Sequence, residues 1–466
     1  MRRTTARRDV RLLTLTERGE LAFDVGPDPR TIGVVLRLAG PAPPEAEIAA
    51  TLADRLADSP RWSCRVVRPP GLLPRWEPMA VDTAAHVRTL TLAPGDGARE
   101  DDVMAAAVRV LREPWDLKAA PPWRVTRLVT GTGRDAVVLS LHHVLTDGTG
   151  VLATGAALLG MTPPLAGSAR AAPESGGAAA HEPGAAGAAV RAPARAAAHS
   201  PASAVAHALG AVRTVALGVA ELAAGLGPRA ERTSLSAPIE PGFCLANLDL
   251  DLDGVRRSAH HHGATVNDVL LVAGAGAVAR LLARRGERVD RILCSVPVSR
   301  ARPGDTDRRA RTGVLRVAAP VAAPATAHGR PGPTASALLL HTAARTRRRR
   351  RFATGESAPL LAFAFESLGR LGLYRAVLRR QRLINMVVSN LRGPAEPMAI
   401  AGVPVTHVMP IAPGVGNVPV YVTALSYAGR LSVTLRVEAR LASELPGLAA
   451  DVRDVVDELA SARGPW

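Results

Sequence analysis

Two periodicities alternate along the chain. "TIGVVLRLAG" (31–40) is a run of β-branched and leucine residues that closes at glycine, and it predicts a strand. "PEAEIAATLADRLADSPRW" (44–62) places apolar residues at helical spacing behind a proline start and predicts a helix. "EDDVMAAAVRVLREPWD" (100–116) predicts another, with acids in the first turn, where the helix macrodipole favours negative charge. "WRVTRLVT" and "DAVVLSLHHV" flank "GTGR" and predict a hairpin, followed by a turn into a helix over "DGTGVLATGAALLG".

From residue 163 the pattern lapses into an Ala/Pro/Gly/Ser tract, read as a linker over 163–232 in which 204–227 has helical character. Periodicity then returns. "ATVNDVLLVAGAGAVARLLARRGE" (264–287) predicts a long helix, with Thr265 and Asp268 as a capping box and Gly286 at the exit. "RILCSVPVS", "LINMVVSN", "VPVYVTALSY" and "RLSVTLRVE" read as strands, the last two joined at Ala428-Gly429 as a hairpin. "ALLLHTAARTRRRRRF" (337–352) reads as a helix ending in arginines, and an amphipathic helix closes the chain. The expected organisation is therefore two mixed α/β (α+β) halves, 1–162 and 233–466, across the linker.

Composition narrows the class. At 466 residues, 47% hydrophobic and 21% charged, the chain is globular and too long for one ordinary core. The uncharged run 397–429 holds several prolines and glycines, so strands and turns are expected there rather than a membrane-spanning helix. The basic N-terminus leads into no apolar segment of signal-peptide type. Cys64, Cys244 and Cys294 lie far apart, which argues against a disulfide framework and fits a reducing cytosol. A net charge of +17 invites nucleic acid or an anionic surface as partner. Aromatics at 3% are too few for base stacking, and Lys118 is the one lysine, so the arginine excess reflects a compositional bias. No nucleic-acid partner is expected.

Several signatures are absent or misleading. The chain has no HExxH, GxSxG or GK[ST] sequence. Gly274, Gly276 and Ala279 imitate a dinucleotide fingerprint, but no strand precedes them, and a small-residue face of one helix is the better reading. The triplet His260-His261-His262 has no acidic or Cys partner at ligand spacing and reads as a solvated helix end, so no metal site is expected. The run Arg347 to Arg351 reads as a solvated face. What remains is "HHVLTDG" (142–148), an HHxxxDG arrangement at a strand end. Imidazole exchanges a proton near neutral pH, Asp147 can hold the turn, and Gly148 lets the chain reverse. Taken alone, a buried histidine pair that merely ends a strand is as good a reading.

The motif resembles that of the HHxxxDG acyltransferase and condensation superfamily. More of the chain is similar to the bacterial wax ester synthase/acyl-CoA:diacylglycerol acyltransferase family. "PWDLKAAPPWRVTRLV" (114–129), "GATVNDVLLVAGAGAVARLL" (263–282), "SVPVS" (295–299), "VVSNLRGPAEPMAIAGVPV" (387–405) and "VTALSYAGRLSVTL" (422–435) carry the resemblance in order. It implies two chloramphenicol-acetyltransferase-like domains with a tunnel between them, acyl-CoA as co-substrate with no bound cofactor, and a lipid alcohol as acceptor. His143 is the implied general base and His142 its support. Asp147 is implied to be structural, paired with Arg300 or Arg302. Asn267 and Asp268 match the family's "ND" pair, and Ser389 and Asn390 are carried along as supporting positions. The implied location is cytoplasmic, peripheral to the membrane or a lipid droplet. The opening "LLTLTERGELAFDVG" only loosely resembles the family start. Two other readings stand beside this one: a condensation-type enzyme acylating a specialised-metabolite hydroxyl or amine, and a non-catalytic lipid-binding protein of the same fold.

Overall fold

The computed structural model describes residues 11–24, 26–93, 99–146, 148–161, 229–299, 312–321, 333–350, 367–368 and 372–461. The linker expected over 163–232 lies almost wholly outside them. The first half runs β1 (Arg11–Leu12), α1 (Leu15–Phe23), β2 (Thr31–Leu38), α2 (Glu45–Leu56), β3 (Cys64–Val67), β4 (Arg75–Pro78), β5 (Val87–Thr91), α3 (Glu100–Leu111), β6 (Trp123–Val129), β7 (Ala136–His142) and α4 (Gly148–Leu158). The second runs β8 (Phe243–Asp251), α5 (Leu252–His261), α6 (Val266–Arg284), β9 (Arg291–Ser299), β10 (Thr312–Pro320), α7 (Ala335–Arg350) and α8 (Tyr374–Leu378). It continues through β11 (Met386–Arg392), β12 (Ala399–Ile400), β13 (Val403–Ile411), β14 (Val420–Tyr427), β15 (Arg430–Glu438) and α9 (Leu445–Ser461).

Each half is built on a six-stranded sheet. The first has the order β12-β13-β2-β7-β6-β5, the second β10-β9-β11-β14-β15-β8. The second half is not self-contained: β13 leaves it to pair antiparallel with β2, Met409 opposite Val35. The strand that leads to the histidines is thereby interior, with β2 on one side and β6 on the other. Every residue of β7 is buried, as a strand covered on both faces requires. Val35 and Val138 pack under Val103, Met104 and Val110 of α3, while Val34, Leu139 and Leu141 join a second cluster with Leu52 of α2 and Leu158 of α4.

The long helix forms as its sequence dictates. Thr265 caps α6 and Asp268 completes the reciprocal capping box. Gly274 faces Val422 and Met386, so the glycine pair is a packing face inside a helix. Among the described residues α6 is the helix long and apolar enough to cross a membrane, yet it is mostly buried within the second core. The uncharged run forms β12, β13 and β14, and β14 is interior to its sheet rather than lipid-facing. Ala428 and Gly429 both take positive φ, 44° and 78°, in the turn that joins β14 to β15.

Candidate active site

The site starts at α1. Thr14 accepts from the Glu17 amide and Glu17 returns the bond to the Thr14 amide, which sets where the helix begins. Glu17, Glu20 and Asp24 then fall at i, i+3 and i+7, along one face. Glu17 is structural: it pairs with Arg61 and accepts from the Trp76 indole at 3.2 Å. Glu20 and Asp24 reach the two histidines at the end of β7.

His142 is sealed in and His143 is not. The β2–β7 register sets His142 opposite Thr31, and the His143 amide donates to the Arg30 carbonyl at 2.8 Å, extending the pairing one residue. The His142 ring is wholly buried. Its Nδ1 accepts from the Val144 amide at 3.1 Å, which leaves the proton on Nε2, 3.2 Å from Asp24 Oδ2. Burial pushes the His142 pKa below its ordinary value, against the raising influence of Asp24. Asp24 itself is lowered: burial would raise it, but the hydrogen bond and charge of His142 and the nearby Arg30 prevail. His142 is thus a neutral ring of fixed tautomer.

The side chain of His143 is 19% exposed, and its Nδ1 lies 3.1 Å from Glu20 Oε2. The same carboxylate oxygen is 2.6 Å from Arg30 Nη2. Arg30 is 5% exposed and its other terminal nitrogen donates to the Gly414 carbonyl at 2.7 Å. Burial alone would raise the Glu20 pKa, but the charges and hydrogen bonds of His143 and Arg30 hold it well below the carboxylate range. An ionised carboxylate therefore faces one nitrogen of the ring, and the other nitrogen points away from it. That arrangement can accept a proton on Nε2 and stabilise the resulting imidazolium. On the side of Arg30, between the two halves, lies a cavity of about 210 Å³ whose walls include Phe23, Arg30, Phe243, Tyr421 and Arg436; neither histidine lines it.

The other expected positions fall elsewhere. Asp147, Arg300 and Arg302 lie outside the described residues, and so does any pairing between them. Gly148 opens α4. Asp268 is committed to capping α6 and to the Thr346 hydroxyl, which donates to it at 2.6 Å. Asn267 is buried in the first turn of α6 with its side-chain nitrogen unbonded. Ser389 and Asn390 are half-buried in β11, paired with Thr423 and Ala424 of β14. One expectation is corrected: His262 is not solvated. It is 7% exposed because it turns back under its own helix end, with Nδ1 on the Ser258 carbonyl and Nε2 on the Ser336 hydroxyl. Arg347 and Arg349, from the basic run, donate to the Gly263 and Arg316 carbonyls.

Sequence reasoning missed Glu20, Asp24 and Arg30. The acid stripe in "TERGELAFD" was the available signal, since three acids on one face of a short capped helix need cationic or imidazole partners when that face is buried.

Known proteins match over the same span. The model of the wax ester synthase/diacylglycerol acyltransferase catalytic domain matches residues 32–270, and that of the WS/DGAT C-terminal domain matches 335–460. A probable diacylglycerol O-acyltransferase of Mycobacterium tuberculosis H37Rv is 26% identical over 452 residues, 92% of this chain and 91% of that one. The wax ester synthase/diacylglycerol acyltransferase of Marinobacter aquaeolei VT8 superposes with a TM-score of 0.63 at 18% identity, covering 96% of this chain and 98% of the other. The first condensation domain of the CDA synthetase gives 0.57 at 19% identity, covering 99% and 98%. The two-domain fold expected from the resemblance is the fold observed. The chain belongs to the wax ester synthase/diacylglycerol acyltransferase family and is an acyltransferase.

Proposed function

We propose that the protein transfers a long-chain acyl group from acyl-CoA to the hydroxyl of a lipid alcohol, with His143 as general base. Diacylglycerol, giving triacylglycerol, is the first acceptor to consider, and a fatty alcohol, giving a wax ester, the second. The observation that carries the reading is the partly exposed His143 ring with Nδ1 on Glu20, in a chain of this family. His143 Nε2 takes the acceptor's proton as its oxygen attacks the thioester carbonyl carbon. The C–S bond then breaks, and the imidazolium returns the proton to the CoA sulfur. The products are an ester and free CoA, with no acyl-enzyme required. Glu20 orients the ring and stabilises its cation, Arg30 keeps Glu20 ionised, and His142 with Asp24 fixes the strand end beneath them.

A peripheral position on a membrane or lipid droplet, on the cytoplasmic side, fits the surface around the cavity. Leu373, Val377 and Leu383 are exposed around α8, interleaved with exposed Arg379 and Arg380. Leu378 and Arg379 line the cavity, so an apolar, cationic patch of the kind that binds anionic bilayers adjoins its mouth. The deciding experiment is acyl transfer from palmitoyl-CoA with diacylglycerol, hexadecanol and a mixed alcohol panel, for wild type and His143→Ala. Ester formation that disappears in the variant supports the reading; equal rates in both refute it.

A further inference from the structure

The cavity between the halves holds a charge whose nearest carboxylate, among the described residues, is shared with a second arginine. Arg436, on β15, is 7% exposed, and its guanidinium carbon lies over the ring of Phe243, 4.1 Å from its centroid, and over that of Tyr421, at 5.2 Å. Ring faces attract the guanidinium charge but are not carboxylate acceptors for its N–H groups. The nearest carboxylate, Asp28, is 4.0 Å away. Asp28 is already engaged by Arg112 at 3.0 Å and by the Gly242 amide at 3.1 Å. Nε and Nη1 of Arg436 have no hydrogen-bond partner among the described residues. The other wall carboxylate, Glu438, is paired with Arg440, and Arg30 is paired with Glu20. Among the described residues each wall carboxylate thus has a closer cation of its own, while Arg436 has only its share of Asp28 at 4.0 Å.

Packing does not account for it. A buried charge without a close partner is costly, and an apolar side chain of similar volume would fill the same space more favourably. The chain also leaves room for the guanidinium: a Cβ at Gly414 would come within 2.6 Å of Nη1 and 2.8 Å of Nη2. That glycine's carbonyl is the one held by Arg30, so Arg436, Gly414, Arg30, Glu20 and His143 form one connected series. At about 210 Å³ the cavity is smaller than sites that enclose whole drug-sized ligands, and it suits a head group. Exposed Arg379 is a third arginine on its wall, beside Arg436 and the Glu20-paired Arg30.

We propose that this cavity binds the carboxylate or phosphate of an acidic alcohol that serves as acyl acceptor, with Arg436 as the counter-ion. The proposal rests on the acyl-transfer reading and departs from it in the acceptor, adding an acidic alcohol to the neutral ones considered above. The planar guanidinium suits both anions. The bound anion would hold the acceptor with its hydroxyl toward His143, and the proton path is that of ordinary ester formation.

The test uses the full chain, palmitoyl-CoA and matched acceptor pairs. One pair is 3-hydroxyhexadecanoate and its methyl ester; the other is 1-oleoylglycerol 3-phosphate and 1-oleoylglycerol. The readout is the acid-to-neutral ratio of kcat/KM, which is independent of the folded fraction because both members are measured on one preparation. Wild type is expected to favour the acid of at least one pair about 10-fold or more, and the preferred pair identifies the anion. Arg436→Gln is expected to reduce that ratio by about 10–100-fold, mainly through KM, with Arg436→Lys between. A ratio unchanged in Arg436→Gln, or a wild type that turns over neutral acceptors alone, overturns the site and leaves acyl transfer standing. If no acceptor turns over, calorimetric titration of both acids decides. Binding lost in Arg436→Gln keeps the site and refutes the reaction, and equal binding or none refutes both.

Discussion

The chain has two clusters of adjacent histidines, and they end differently. At the end of α5, His262 spends both ring nitrogens on its own fold, one on the Ser258 carbonyl and one on the Ser336 hydroxyl. At the end of β7, His142 does the same with Val144 and Asp24, but its neighbour has one nitrogen toward an ionised carboxylate and a ring that remains partly exposed. The difference comes from what each element meets. The α5 terminus turns back on itself and packs against α7, where a carbonyl and a hydroxyl engage both ring nitrogens. The β7 terminus emerges between α1 and the entrance to β2, where Glu20 and Arg30 supply fixed charges. A partly exposed histidine with a paired carboxylate on one nitrogen has what a general base needs, and a sealed one does not.

Substituting the two rings separately tests that contrast most strongly. His143→Ala is expected to lower acyl transfer by about 10²–10⁴-fold, the usual contribution of a positioned general base, with little change in thermal stability. His262→Ala is expected to do the reverse: it leaves the Ser258 carbonyl and Ser336 hydroxyl short of a partner, costs about 1–3 kcal/mol, and keeps turnover within a few-fold. Initial rates and thermal melts on both variants decide. An inactive but stable His262→Ala would erase the distinction.

Glu20 comes next. In Glu20→Gln the imidazolium loses its counter-charge while the ring keeps a neighbour of the same size. The expected result is a kcat about 10–100-fold lower with KM little changed, and partial recovery in Glu20→Asp. A group that merely packed would lower the yield of folded protein without separating kcat from KM.

What the sequence disclosed and what it withheld divide by range. Thr265, Asp268 and Gly286 announce α6 because caps are local chemistry, and the "GTGR" hairpin is legible for the same reason. The motif placed His142 and His143 at a strand end correctly. It did not show Glu20, Asp24 and Arg30, which are more than a hundred residues upstream on elements brought close by the β2–β7 pairing. Nor did it show that β13 crosses to β2, since an interior strand reads the same whichever sheet receives it. The triplet 260–262 misled because three adjacent histidines read as polar, while the burial of His262 depends on the turn at the helix end and on Ser336 of α7, 74 residues away.

Acid should separate the two clusters as well. Glu20 has a depressed pKa when folded, so the stability it contributes is fully present above the ordinary carboxylate pKa and is lost as pH falls below it. Melting temperatures of wild type and Glu20→Gln are therefore expected to begin to approach each other as pH falls below about 5, with wild type losing more, and to meet only at pH values well below the ordinary carboxylate range. Parallel curves would mean that Glu20 is not held ionised by Arg30.

The smallest effect belongs to the cap of α6. Thr265→Ala removes the hydroxyl that accepts from the Asp268 amide and one of the groups that hold the Asp268 carboxylate, at a cost of about 1 kcal/mol. In a domain of this size that shifts the melting temperature by roughly 2–4 °C. Because Thr346 also holds Asp268, the carboxylate keeps a partner and α6 stays in register. The informative quantity is then the rate. If Asp268 acts only through the helix, as its bonds to Thr265 and Thr346 indicate, acyl transfer below the melting transition is unaffected by the substitution. A fall in kcat beyond the loss of folded protein would instead connect the first turn of α6, and Asn267 beside it, to the chemistry at His143.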